Sequence, residues 1–81
     1  MDIILLQEGK ITRGGEREVT ITIPLRLRNK ISFDLFCLLS AKNDCILTFY
    51  KVELQEILVF NFRAENIEKI DKLIREFEGL L

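Results

Sequence analysis

Cys45 to Leu81, CILTFYKVELQEILVFNFRAENIEKIDKLIREFEGLL, reads as two consecutive apolar strands followed directly by an amphipathic helix. Ile46 to Leu54 and Ile57 to Arg63 are rich in β-branched and aromatic residues, and the intervening Gln55 and Glu56 make a hairpin the simplest connection. In the second strand Leu58, Phe60 and Phe62 share one face, and Ile57, Val59, Asn61 and Arg63 share the other; the first face is the better core candidate. From Asn66 onward Ile67, Ile70, Ile74, Phe77 and Leu81 recur at alternating spacings of three and four, with Leu73 and Leu80 widening the stripe. Asn66 is a good helix cap, and Glu65/Lys69, Glu68/Lys72 and Asp71/Arg75 are opposite charges four apart on the solvent side. One face of this helix must be buried.

Upstream, Val19, Ile21, Ile23, Leu25 and Leu27 alternate with Thr20, Thr22, Pro24, Arg26 and Arg28, the pattern of a half-buried strand. Pro24 cannot donate a ladder hydrogen bond, so this strand is expected at an edge or to end near the proline. Asn29 caps a predicted helix running to about Ala41, apolar over most of its circumference: Ile31, Leu35, Leu38 and Leu39 form one stripe, and Phe33, Phe36 and Cys37 another. Such a helix is covered on two sides, and in a short chain the second cover is expected to be another polypeptide. Ile3 to Leu6 is a candidate strand, whereas Gln7 to Glu18, with Gly9, Gly14 and Gly15, reads as a loop or loose hairpin tip. The order is therefore β-β-α-β-β-α. It predicts an α+β domain: an antiparallel sheet of three to four strands with two helices packed on one face.

Composition narrows the function. The chain has 81 residues, 48% of them hydrophobic and 31% charged, with four glycines and one proline, which fits one folded domain and argues against disorder. A domain this small is marginally stable, so help from a partner is expected. There is no histidine and there are only two cysteines, Cys37 and Cys45, so a four-ligand zinc site and a Cys/His nucleophile pair are both out of reach. Both cysteines have apolar neighbours and read as small buried hydrophobes rather than a disulfide. Asp34, Asp44 and Glu53 show no spacing that singles out a catalytic pair. No catalytic residue, metal or cofactor is therefore expected. No run approaches the roughly 18 apolar residues of a membrane span, and Asp2 stands where a signal peptide carries positive charge, so a cytoplasmic protein is expected.

From Val19 onward, the chain resembles the small Pcc-type (CTAG family) dimerisation subunit of the KEOPS complex. The matching pieces are the strand ending in Ile23-Pro24, the helix through Leu38-Leu39-Ser40, the hairpin Ile46 to Arg63, and Phe62-Arg63-Ala64-Glu65-Asn66 leading into the last helix. The resemblance divides the single domain, 1–81, into an N-terminal extension, 1–18, and a Pcc-like core, 19–81. It implies a non-catalytic subunit of the machine that installs threonylcarbamoyladenosine in tRNA, pairing with a homologous small subunit and through it reaching the catalytic subunit. The family's leucine-arginine and asparagine-serine pairs in the last helix are replaced here by Ile70-Asp71 and Arg75-Glu76. Those departures imply a divergent accessory paralogue that forms a heterodimer with the standard subunit, with a homodimer open to it when alone. Its expected protein interface is Ile31, Leu35 and Leu38 on the first helix and Ile67, Ile70, Ile74 and Phe77 on the last.

Two other readings stay open. Arg13, Arg17, Arg26, Arg28 and Lys30 form a basic cluster in the sequence, and Val19 to Arg28 also resembles the AbrB type of swapped-hairpin DNA-binding dimer. The same cluster would serve tRNA contact in a KEOPS-like assembly. An ordinary homodimeric α+β domain, its charges merely solvated, accounts for the same pattern.

Overall fold

The computed structural model describes residues 3–6, 9–15, 17–29 and 33–80, with 3–6, 28, 29 and 80 as backbone only. Strands β1 (Ile3–Leu6), β2 (Gly9–Arg13) and β3 (Glu18–Pro24) lead into a 3-10 turn at Leu25–Asn29. Helix α1 (Phe33–Lys42), the hairpin β4 (Ile46–Glu53) and β5 (Ile57–Arg63), and helix α2 (Ile67–Leu80) complete the chain. All pairings are antiparallel, and the sheet order is β1-β2-β3-β5-β4. The expected α+β class holds, with both helices on one face. The sheet has five strands because Gly9–Arg13, expected as loop, is a strand with Ile11 opposite Ile21. A single apolar residue between Lys10 and Thr12 carries too little alternation to be seen in sequence. Gly9 approaches β3 so closely that a Cβ there would lie 2.5 Å from the Thr22 carbonyl oxygen.

Strand β3 is central, not at an edge, and it ends at Pro24 as the alternative expectation had it. The Leu25 amide then turns away to donate to the Glu56 carbonyl at 2.7 Å, so the alternation of Leu25 and Leu27 continues as a 3-10 turn rather than a strand. Helix α1 is described from Phe33 to Lys42; residues 30–32, where a cap at Asn29 would place its first turn, lie outside the described residues. It closes with Asp44 in the left-handed region (φ 58°) and the Cys45 amide donating to Ser40 O at 2.9 Å.

Register explains the core. Val19, Ile21 and Ile23 lie opposite Phe62, Phe60 and Leu58, and all six are buried on the helix side. Against them α2 lays Ile70, Leu73, Ile74 and Phe77, the stripe its spacing predicts, and the Asn66 cap accepts a bond from the Lys69 amide at 3.1 Å. Helix α1 contributes Phe36, stacked on Phe60 and 4.8 Å from Phe77 centroid to centroid, so three elements meet on one ring. The two helices are tied by Asn43, whose Nδ2 donates to Leu39 O at 2.9 Å and to Glu76 Oε2 at 3.0 Å. On the opposite face Asn61, almost fully buried, links three strands: its Nδ2 donates to Glu18 Oε1 and Thr20 Oγ1, while Thr48 Oγ1 donates to its carbonyl and side-chain oxygens.

Candidate interaction surface

Among the described residues the sheet ends on one side at β4, which pairs with β5 alone. A half-covered strand normally alternates buried and exposed residues, but seven of the eight residues of β4 are exposed and only Leu47 is half-buried. The exposed residues are nevertheless apolar: Ile46, Phe49, Tyr50 and Val52, with Leu54 at the hairpin tip 82% exposed. Phe49 and Lys51 lie on the side away from the helices, and Tyr50 and Val52 on the helix side, as their partners Asn61, Val59, Phe60 and Leu58 require. From helix α1 Phe33, itself 48% exposed, meets Tyr50 edge to face at 5.2 Å. Phe33, Tyr50 and Val52 thus make one uncovered apolar strip beside an unpaired strand edge. Natural edge strands are usually short, bulged or charged; β4 is long, and its bulge sits at Thr48, near its start.

The hairpin turn adds a second anomaly. Leu54 and Gln55 have φ of 54° and 58°, and the Glu56 amide closes the turn on Glu53 O at 3.1 Å. Both central residues are therefore left-handed, a geometry that favours asparagine and glycine, yet leucine occupies the first. Leu54, expected as the last strand residue, is a turn residue instead.

The residues expected at a protein interface divide sharply. Ile70, Ile74 and Phe77 are buried in the chain's own core, a correction to their assignment as a free surface. The sheet is wide enough, with β2 and β3 present, for α2 to lay Ile70, Leu73, Ile74 and Phe77 on it. Ile67 is 43% exposed at the start of α2, Leu35 is partly buried against the core, and Leu38 points to solvent. Ile31 lies outside the described residues. The apolar content of β4 does not mark it in sequence as a surface; only the sheet order shows that no described strand lies beyond it.

The basic cluster is dispersed. Arg13 is on the helix side of β2 and pairs with Asp71 of α2, which displaces the Asp71/Arg75 pairing expected from spacing. Arg17 and Arg26 flank opposite ends of β3, roughly 20 Å apart at about 3.4 Å per residue. Arg26 is exposed; Arg28 is described by its backbone alone, and Lys30 lies outside the described residues.

At the sheet end bearing Arg17, a cleft of about 650 Å³ is lined by Ser40, Cys45, Arg63, Glu65 and Lys69 among others. Burial pushes the Cys45 thiol up, only partly offset by Lys69, and its Sγ lies 3.5 Å from Asn43 O and 3.6 Å from Lys69 O. Lys69 is itself pushed up by its hydrogen bond to Asp44 at 3.1 Å, with Glu65 adding to the effect, so it stays a cation. A protonated thiol beside a held ammonium offers neither nucleophile nor base. Cys37, expected to be buried, is exposed, and both cysteines are free.

No family model, curated protein or solved structure matches this chain. Among the described residues, no group of three His, Cys, Asp or Glu is placed to hold a metal ion, and no helix is long and apolar enough to cross a membrane.

Proposed function

We propose that this protein is a non-catalytic, cytoplasmic accessory subunit of a KEOPS-like tRNA-modification complex, acting by pairing with a homologous small subunit and through it with the catalytic subunit. One observation carries the pairing: an unpaired strand edge, β4, bears exposed apolar side chains on both of its faces beside the exposed Phe33 of α1. Contiguous apolar surface on a small domain marks a place where another polypeptide binds. The KEOPS assignment rests on the sequence resemblance from Val19 onward, and the antiparallel sheet with two helices on one face is compatible with it. The split of Arg17 from Arg26, and the pairing of Arg13 with Asp71, count against a single DNA-reading surface of the AbrB type.

The test is to mix the purified protein with the standard small subunit and the catalytic subunit of the same cell and weigh the products. A stable mixed complex, lost on Val52→Lys because a charge is then buried unpaired, is the expected result. Failure of all three to associate overturns the function proposed.

A further inference from the structure

We infer that the cleft at the sheet end bearing Arg17 binds a small phosphomonoester, nucleotide-sized and held between the guanidinium groups of Arg17 and Arg63. This goes beyond the pairing function, because it needs no second subunit. Arg17 stands one residue before β3, and Arg63 is the last residue of β5. The Ala64 amide donates to Arg17 O at 2.9 Å and Arg63 lies opposite Glu18, so the two arginines sit one step apart at the joined ends of neighbouring strands. Both are exposed, and among the described residues neither guanidinium has an ion pair or a side-chain hydrogen bond. Like charges on adjacent strands repel, and an anion between them removes the penalty.

The nearby acids are engaged elsewhere. Asp44 and Glu65 both hold Lys69, at 3.1 and 3.7 Å, and Glu18 Oε1 accepts from Asn61 at 2.9 Å. Arg17, Arg63 and Lys69 against Asp44 and Glu65 leave the cleft with an excess of one positive charge, in a chain whose net charge is -1. Burial pushes the Cys45 thiol up, so it stays uncharged near neutral pH and does not repel an anion. The planar fork of arginine matches two phosphate oxygens at once, which an ammonium does not. Size sets the rest of the ligand. The cleft of about 650 Å³ falls within the ~300–1,000 Å³ of small-molecule sites, and a bare phosphate would leave most of it unfilled. Ala41, Ile46 and Ala64 give it an apolar wall for an organic body. A nucleic-acid strand would instead need cations along a track, yet Arg13 is committed to Asp71 and Arg26 lies at the far end of β3.

The test is calorimetric titration of the intact protein with uridine monophosphate, uridine, inorganic phosphate and a short polyuridylate. Uridine monophosphate should bind at one site with a dissociation constant of about 0.1–1 mM, inorganic phosphate more weakly and uridine not at all. Arg17→Gln and Arg63→Gln, both at exposed positions, should each weaken the monophosphate at least about tenfold with unchanged circular dichroism, whereas Lys10→Gln, an exposed cation on β2, should leave it unaltered. Absence of saturation by about 10 mM, or uridine or inorganic phosphate binding as tightly as the monophosphate, overturns the inference. So does an equal loss for Lys10→Gln, or polyuridylate binding more than about tenfold tighter than the monophosphate, which would mark a polymer surface. Neither result bears on the mixed complex with the KEOPS subunits, so this inference and the proposed function fail separately.

Discussion

Replacing Leu54 by asparagine is expected to make the isolated chain more stable, although leucine is the more apolar residue. The side chain is 82% exposed, so less than a fifth of the ~1.5–3 kcal/mol available from burying a leucine is at stake, roughly 0.3–0.5 kcal/mol. Against this, an L-residue with a Cβ held in the left-handed region costs about 1–2 kcal/mol, and φ at Leu54 is 54°. Asparagine tolerates that region, so the net gain is about 0.5–1 kcal/mol; adding Gln55→Gly, whose φ of 58° is equally unfavourable, should roughly double it. For a domain of this size 1 kcal/mol moves the melting temperature by about 4–8 °C. The assay is thermal unfolding followed by circular dichroism, at dilutions where the melting temperature no longer depends on protein concentration. A fall in melting temperature for Leu54→Asn in that monomeric range refutes the reasoning, because it would mean that Leu54 packs as a strand residue.

Phe36→Ala removes the ring shared by β5 and α2 and should cost about 3–5 kcal/mol, enough to shift a urea midpoint drastically in a chain this small; a loss below 1 kcal/mol would show that the stack with Phe60 is not the centre of the core. Asn61→Ala leaves Thr48, Thr20 and Glu18 without their common partner and should cost about 1–3 kcal/mol by the same measurement, against no change if water replaces it freely. Hydrogen bonds from Asn43 and Lys42 hold the Glu76 carboxyl below its ordinary range. Because the folded value lies below the unfolded one, its stabilisation is complete above the unfolded value and is lost as pH falls through the folded value. Unfolding free energy measured from pH 7 down into the acid range should therefore decline less steeply for Glu76→Gln, and superimposable pH profiles would contradict the assignment.

How far the sequence carries can be followed residue by residue. The Ile70 to Phe77 spacing places α2 and its buried stripe, and the alternation of Leu58, Phe60 and Phe62 picks out the core face of β5, because both periodicities are written in side chains that the fold buries. Strand β2 was illegible because backbone pairing with β3, not side-chain pattern, makes it a strand. The assignment of Ile70, Ile74 and Phe77 to an interface failed for a related reason: an amphipathic stripe declares that it is buried but not against which chain. Conversely nothing in the apolar run Ile46 to Leu54 distinguishes a rim strand from a central one, and only the order β3-β5-β4 leaves Phe49, Tyr50 and Val52 at the rim. Charge spacing along α2 gave Glu65 with Lys69 but not Asp71 with Arg13, since the second pair is 58 residues apart in sequence.

The placement of β5 between β3 and β4 also governs how the chain can be made. The meander β1-β2-β3 leaves the ribosome first with Ile11, Val19, Ile21 and Ile23 ready to be covered, but the strand that flanks β3 comes later, Val19 facing Phe62 and Ile23 facing Leu58. At synthesis rates of about 5–20 residues per second, the intervening segment of ~40 residues takes roughly 2–8 s to appear. For that interval the nascent chain carries an open strand edge at β3 and an apolar face without helices. Such an edge is prone to pair with other unfolded chains, and aggregation during synthesis should rise when translation is slowed between α1 and β5.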